Sequence, residues 1–253
     1  MIQQLFARIG IGNARVDTKL QRQSYSAGDV IQGNVHILGG NVMQTIEALY
    51  VTVYTTYIQE VNDTKIEQTA AVAKFQISEN FTMEANEEKT IPFQFKLPLA
   101  TPVTKGKTKV WVQTELDVPL AVDPKDRDAI TVQPSALLNE VLVAMRQLGF
   151  RLRSVECEKA PLALRAPMLF VQEFEFTPTG SYRSYLDEVE ILVVNQTVDG
   201  LDLLMQVDRK VRGFSSLLAE HLDLDESFIR LTIRHEEIAR VASILQHTIE
   251  RHL

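Results

Sequence analysis

Hydrophobic and polar residues alternate through the first half of the chain. The stretch 91–98 is the clearest case, because Phe93, Phe95 and Leu97 would share one face of a strand while polar side chains occupy the other. One apolar and one polar face is typical of half a β-sandwich. Prolines at positions 92 and 98 favour a place at the edge of a sheet.

Similar segments recur up to about residue 118, with turns between them. The clearest are Val30–Ile37, Ile46–Ile58 and Lys109–Val118. Strands at roughly ten-residue spacing indicate an antiparallel sandwich.

A helical period first appears after position 134. Apolar residues fall on one face from Leu137 to Leu148, with Ser135 as the predicted N-cap and Gly149 as the stop. Further helices are predicted at 213–222 and from 235 onward, and further strands at 168–176, 182–185, 189–194, 201–207 and 228–233.

The first residues, 2–9, have the pattern of a short amphipathic helix that ends at Gly10. Such a helix either packs on its own domain or makes a weak membrane or partner contact. Its polar face carries only Arg8 as a cation, so attraction to anionic lipid would be small.

The predicted fold class is mainly β: two antiparallel β-sandwich domains joined by a short hinge, with a few helices in the C-terminal half. The predicted parts are an N-terminal sandwich at 1–122, a hinge linker at 123–133, a C-terminal sandwich with helices at 134–234 and a C-terminal amphipathic helix at 235–253. The hinge is placed at the charged run from Asp123 to Asp128 because of its polarity and its proline.

Charge and cysteine content limit the classes of protein to which this chain can belong. The net charge is −7, from 26 basic and 33 acidic residues, and no basic run exceeds two residues, which disfavours nucleic-acid binding. The single cysteine, Cys157, allows neither an internal disulfide nor a cysteine metal site. No stretch of 18 apolar residues suits a membrane-spanning helix, and the N-terminus lacks the form of a signal peptide. We therefore expect a cytoplasmic protein.

Motifs for catalysis are lacking in the sequence. The segment His235-Glu-Glu-Ile-Ala239 misses the second histidine of a zinc-protease motif, and no Gly-x-Ser-x-Gly elbow occurs. The segment from Gly10 to Arg15 lacks the third glycine of a dinucleotide-binding turn. The sequence predicts no catalytic residue, no metal site and no cofactor, and so no enzyme.

Two charged clusters are candidates for interaction. Lys105, Lys107 and Lys109 alternate and would share one strand face, either to protect an exposed edge from pairing or to hold an acidic or phosphorylated segment.

The second cluster is the predicted hinge, which carries Asp123, Lys125, Asp126, Arg127 and Asp128. These residues are either a soluble linker, or Arg127 pairs with an acid across a domain interface and sets the interdomain angle. A charged ligand could break such a pair.

Six segments resemble a known family. Those at 25–37, 91–98 and 106–118 resemble strands of arrestin-like N-domains, and those at 122–128, 148–153 and 169–176 are similar to the bacterial sporulation-control proteins, which are arrestin-like stage-zero regulators. The resemblance covers roughly residues 10–235.

The resemblance implies two arrestin-like sandwiches in a cytoplasmic regulatory protein without a known reaction or cofactor. It implies action through protein partners, in sporulation onset or cell-division control. The alternative is a membrane-peripheral or small-ligand binding module that uses residues 2–9. The apolar face of the last helix, Ile238 to Ile249, either packs internally or pairs with another copy, which leaves a homo-oligomer open.

Overall fold

The structure is a computed structural model in which residues 14–119, 122–209 and 228–253 are described. The chain divides into two compact units. The first comprises Met1–Thr56, Thr69–Thr104 and Lys109–Gln133, and the second comprises Tyr57–Gln68, Lys105–Thr108 and Pro134–Leu253. The helices predicted at 2–9 and 213–222 lie outside the described residues.

In the described residues before position 134, ten strands form. They are β1 (Arg15–Leu20), β2 (Ser24–Ser26), β3 (Val30–Leu38), β4 (Gln44–Ile46), β5 (Ala48–Val61), β6 (Thr64–Ser78), β7 (Phe81–Met83), β8 (Glu88–Lys96), β9 (Val110–Asp117) and β10 (Lys125–Gln133).

Two sheets of the first unit enclose one hydrophobic core. One sheet has the strand order β1-β3-β8, and the other contains β5, β9, β10 and β2, with β6 paired to β5. Phe93 and Phe95 of β8 are buried in the core together with Val51 of β5 and Val112 of β9. The predicted inward face of this strand is therefore confirmed. Among the described residues β8 pairs only with β3, so its predicted edge position is confirmed too.

From position 134 onward, the part of the chain that the structure describes contains two α-helices and five strands. They are α1 (Ala136–Gln147), β11 (Phe150–Lys159), β12 (Phe170–Pro178), β13 (Leu186–Gln196), β14 (Gly200–Arg209), β15 (Phe228–Arg234) and α2 (Val241–Glu250), with 3₁₀ segments at Leu162–Leu164, Ser181–Ser184 and His235–Arg240.

The first helix matches its sequence prediction. The Ser135 hydroxyl accepts a hydrogen bond from the Leu138 N–H at 3.3 Å, which satisfies one free donor at the helix start. Gly149, with φ 86°, follows the end, where few other residues adopt such an angle. The helix buries Val141 and Met145.

The strands of the second unit form an antiparallel sheet in the order β11-β12-β13-β14-β15. Helix α1 packs against β11 and against α2. The apolar side of α2 is buried through Val241, Leu245 and Ile249, so the last helix packs within its own unit. A mainly β chain with a few helices in its C-terminal half is thus confirmed. The second sheet of a C-terminal sandwich stays a prediction.

Residues 123–133 differ from the predicted linker, because β10 occupies most of this segment. Six residues from Lys125 to Ile130 pair with β9, and Gln133 is the last residue of the first unit. Ile130 and Val132 are buried, whereas the charged residues before them are exposed or half-buried. A strand with one solvated face accepts such a charged run, so composition alone could not distinguish it from a linker.

Candidate functional site

The charged residues predicted at the hinge lie within the first unit. The Asp123 carboxylate accepts a hydrogen bond from the Val118 N–H at 3.1 Å and so closes the connection between β9 and β10. Lys125 pairs with Glu115 of β9 at 3.0 Å. Both contacts hold β10 in its sheet.

Asp126 joins β10 to the other sheet of this unit. Its Oδ2 accepts a hydrogen bond from the Thr18 N–H of β1 at 2.7 Å. The neighbouring Thr18 and Thr114 hydroxyls are 2.6 Å apart. Through this hydrogen bond, Asp126 acts as a structural tie between the two sheets.

Burial, and then the charges of Asp126 and Asp17, raise the pKa of Asp128 above its ordinary range.

Arg127 lies on an aromatic ring. Its guanidinium carbon is 3.7 Å from the centre of the Trp111 ring, which also stacks on Tyr54 at 5.5 Å. The cation covers the ring and leaves Trp111 only 4% exposed. An ion pair of Arg127 across a domain interface stays a prediction, which Arg127→Ala and solution scattering would test.

The three alternating lysines precede, in the sequence, the strand that was expected to align them on one face. Strand β9 begins at Val110, and Gly106, with φ 61°, forms a turn among them. Lys107 bonds to Glu156 at 2.9 Å in the second unit, whereas Lys109 belongs to the first. The structure therefore does not bring Lys105, Lys107 and Lys109 together on one strand face.

The outer face of the second unit's sheet carries a group of carboxylates that the sequence analysis missed. The strand registers place Glu156 opposite Glu173 and Glu175 opposite Glu190. We name this surface the acidic face; it comprises Glu156, Glu158, Glu173, Glu175, Glu188, Glu190 and Asp208. Three Glu-x-Glu pairs, at 156–158, 173–175 and 188–190, were the available signal.

Cations of the described residues compensate only part of this charge. Arg153 bonds to Glu175 at 2.5 Å and to Glu188 at 3.1 Å. Lys107 contacts Glu156, and Lys65 reaches Glu158 at 3.6 Å.

Within the described part of the chain, the carboxylates of Glu173 and Glu190 form no ion pair and accept no hydrogen bond. Burial, followed by the charge of Glu158, raises the pKa of Glu173 to about 7. Burial, followed by the charge of Glu188, raises the pKa of Glu190 to about 7. This face therefore takes up protons near neutral pH.

A loop between β11 and β12, residues 160–169, presents apolar side chains to solvent. Leu162 is 95% exposed and Leu169 is 69% exposed. Leu164 and Ala166 of the same loop pack against a cluster on the sheet formed by Val171, Leu192 and Leu204. The Ala160 N–H donates a hydrogen bond to the Leu169 carbonyl at 2.9 Å. The sheet therefore holds the loop in place while its two outer leucines stay in water.

We find no arrangement for metal chemistry in residues 14–119, 122–209 and 228–253: no three His, Cys, Asp or Glu side chains there are placed to hold an ion. A cleft of about 570 Å³ at one end of the second unit's sheet is lined by Asp202, Arg234, His235 and Glu236, among others. Its charges are of both signs. Among the described helices, none combines the length and apolar character needed to cross a membrane.

Comparison with known proteins gives consistent matches. A family model described as SpoOM protein matches residues 2–211. The sporulation-control protein Spo0M of Bacillus subtilis (strain 168) is 39% identical over 237 residues, which is 93% of this chain and 91% of that relative.

The crystal structure of Spo0M from Bacillus subtilis matches with a TM-score of 0.86 at 36% identity, and the match covers 96% of this chain and all of that one. By sequence and by structure, the chain belongs to the SpoOM protein family.

Proposed function

We propose that this chain is a cytoplasmic regulator of sporulation that acts by binding other proteins rather than by catalysis. The regulatory role is supported by family membership and by 39% identity to a sporulation-control protein. Within the structure, the binding mechanism rests on one observation, the exposed and anchored loop at 160–169.

Two outer leucines on a fixed loop suit insertion into an apolar pocket of another protein. Large apolar side chains in water are typical of interaction sites, and anchoring at Leu164 lowers the ordering cost of binding. A protein partner fits better than a membrane. The cluster on which the loop packs includes Val171, which lies on the same side of β12 as the acidic face, and the excess of carboxylates on that face repels anionic lipid.

Complementation tests the regulatory role. A Bacillus subtilis strain without its own sporulation-control protein would receive this chain, and heat-resistant spores would be counted. We expect the chain to move the spore count back toward that of the parent strain. An unchanged count, with the protein present at normal abundance, would exclude the role in that host.

Variants of the loop test the mechanism. Leu162→Asp combined with Leu169→Asp should abolish complementation, because a carboxylate cannot enter an apolar pocket unpaired. Val198→Asp is the matched control, since Val198 is 70% exposed at another turn of the same unit. If the double variant complements as well as the parent chain, this loop is not the binding surface.

Vesicle binding tests the membrane alternative. Phosphatidylglycerol vesicles would be sedimented with the whole chain and with a chain that lacks residues 2–9. Our proposal expects neither protein to sediment with lipid. Binding that is lost with the deletion would support the alternative instead.

A further inference from the structure

The exposed loop between β11 and β12 and the acidic face lie on the same side of the second unit's sheet. The loop packs on Val171, Leu192 and Leu204. In the strand registers, Leu192 lies directly opposite Glu173, and Val171 lies directly opposite Glu158. Directly opposite side chains of an antiparallel pair point to the same face of the sheet. The acids therefore border the apolar cluster that holds the loop.

The negative charge beside the loop is uncompensated. No cation of the described residues pairs with Glu173 or Glu190. The charges that act most strongly on Glu173 belong to other carboxylates, that of Glu158 first. Arg165 of the loop and Arg230 of β15 are exposed, and neither forms an ion pair with the acidic face in the part of the chain that the structure describes. A cation supplied by a partner would therefore be attracted to this place.

The loop and the acids together define a partner more closely than either does alone. Exposed leucines suit any apolar surface, and carboxylates suit any cation. Protein interfaces commonly combine an apolar centre with a polar rim. Here Leu162 and Leu169 supply the apolar centre, and the rim beside them is acidic. The excess of carboxylates disfavours anionic lipid and nucleic acid as the partner.

We infer that the partner of this loop is a protein with a basic contact surface, on which apolar side chains lie beside lysine or arginine. The apolar side chains of that surface receive Leu162 and Leu169, and its cations pair with Glu173 and Glu190. This inference rests on the proposed binding role of the loop and adds the charge of the partner to it.

A defined peptide tests this surface. The probe is a synthetic amphipathic helical peptide with leucines on one face and lysines along both borders of that face. The matched peptide carries glutamate in place of each lysine. Fluorescence anisotropy of the labelled peptides, titrated with the whole chain at pH 8, measures binding where both carboxylates are ionised. The lysine peptide should bind, less tightly as salt is raised, and the glutamate peptide should not.

Two pairs of substitutions separate the apolar contribution from the charge. Leu162→Ser combined with Leu169→Ser keeps the charge constant and should raise the dissociation constant of the lysine peptide about tenfold or more. Glu173→Gln combined with Glu190→Gln should raise it about fivefold or more, because two attractions are lost.

The glutamine pair has a matched control. Glutamine at 173 and 190 removes charges that burial disfavours, so weaker binding by that variant would not reflect misfolding. Glu79→Gln combined with Glu88→Gln makes the same change in net charge at exposed positions of the first unit. This control should bind the lysine peptide like the parent.

Three results would overturn the inference. The first is a parent chain that does not bind the lysine peptide, and the second is a parent chain that binds both peptides alike. The third is a serine pair or a glutamine pair that binds the lysine peptide as tightly as the parent. Failure of the proposed function is a separate result, because it appears in the spore counts as a loop variant that complements like the parent.

Discussion

Replacing Glu173 or Glu190 with glutamine should stabilise this protein, and the gain should be fully present only above about pH 7. Both carboxylates are half-buried and lie among other acids on the acidic face, and each has a pKa raised to about 7. Glutamine preserves the shape of the side chain and removes its charge. The substitution therefore measures what ionisation of this face costs the fold.

The direction of the pKa change determines whether stability rises or falls with pH. Below the ordinary value of 4.5, folded and unfolded chains both bind the proton, and the charge costs nothing. Between 4.5 and about 7 the unfolded chain releases the proton first, so stability falls as pH rises. Above about 7 the loss is complete.

Solvent screening limits how much the free energy of unfolding changes in these variants. A pKa raised from 4.5 to about 7 corresponds to roughly 3 kcal/mol if the whole change is retained. Because these side chains are partly exposed, solvent screening reduces this to roughly 1–2 kcal/mol. The charge of Glu190 contributes to the raised pKa of Glu173, so the double variant should gain less than the sum of the single variants.

Urea unfolding at pH 5 and pH 8 is the assay. Glu173→Gln and Glu190→Gln should unfold at higher urea than the parent at pH 8, with the gain much reduced at pH 5. Glu88→Gln, at an exposed position of β8, is the control and should match the parent at both pH values. Equal gains at both pH values, or no gain at pH 8, would refute the reasoning.

Three further predictions concern the first unit. Asp126→Ala should lower the free energy of unfolding by about 1–3 kcal/mol, since the Thr18 N–H loses its acceptor, whereas Asp126→Asn should restore most of it; equal losses would contradict this. Arg127→Ala should cost about 0.5–1 kcal/mol and shift the fluorescence of Trp111, the single tryptophan, toward that of an exposed indole. Phe95→Ala should cost about 3–5 kcal/mol by thermal or urea unfolding, and a loss below 1 kcal/mol would place Phe95 outside the core.

Much of the fold was predictable because its elements follow simple periods. Period two identified Phe93 and Phe95 as core residues, and period 3.6 with Ser135 and Gly149 located α1 to within a residue or two. These signals are local, since each depends on neighbours along the chain. The hinge prediction was less successful, because a charged run on the solvated side of β10 has the composition of a linker.

The candidate surfaces were harder to predict because they depend on strand register. The acidic face exists because β11, β12 and β13 align their Glu-x-Glu pairs, and the sequence does not state that alignment. In the sequence, only the prolines at 161 and 167 indicate the loop at 160–169. That Leu164 is held while Leu162 is exposed depends on packing against the sheet.

Stability measurements should accompany every functional assay, because the proposed roles differ in the sign of their effect on folding. Asp126 and Phe95 support the fold, so their loss should destabilise it. Glu173 destabilises the fold progressively above pH 4.5 and fully above about pH 7, so its neutralisation should stabilise the fold there. Leu162 contributes little to folding, because burial of apolar area is what stabilises and this side chain is almost wholly in water. A loop variant that loses complementation at unchanged unfolding free energy has therefore lost binding, whereas the same loss with lower stability would indicate misfolding.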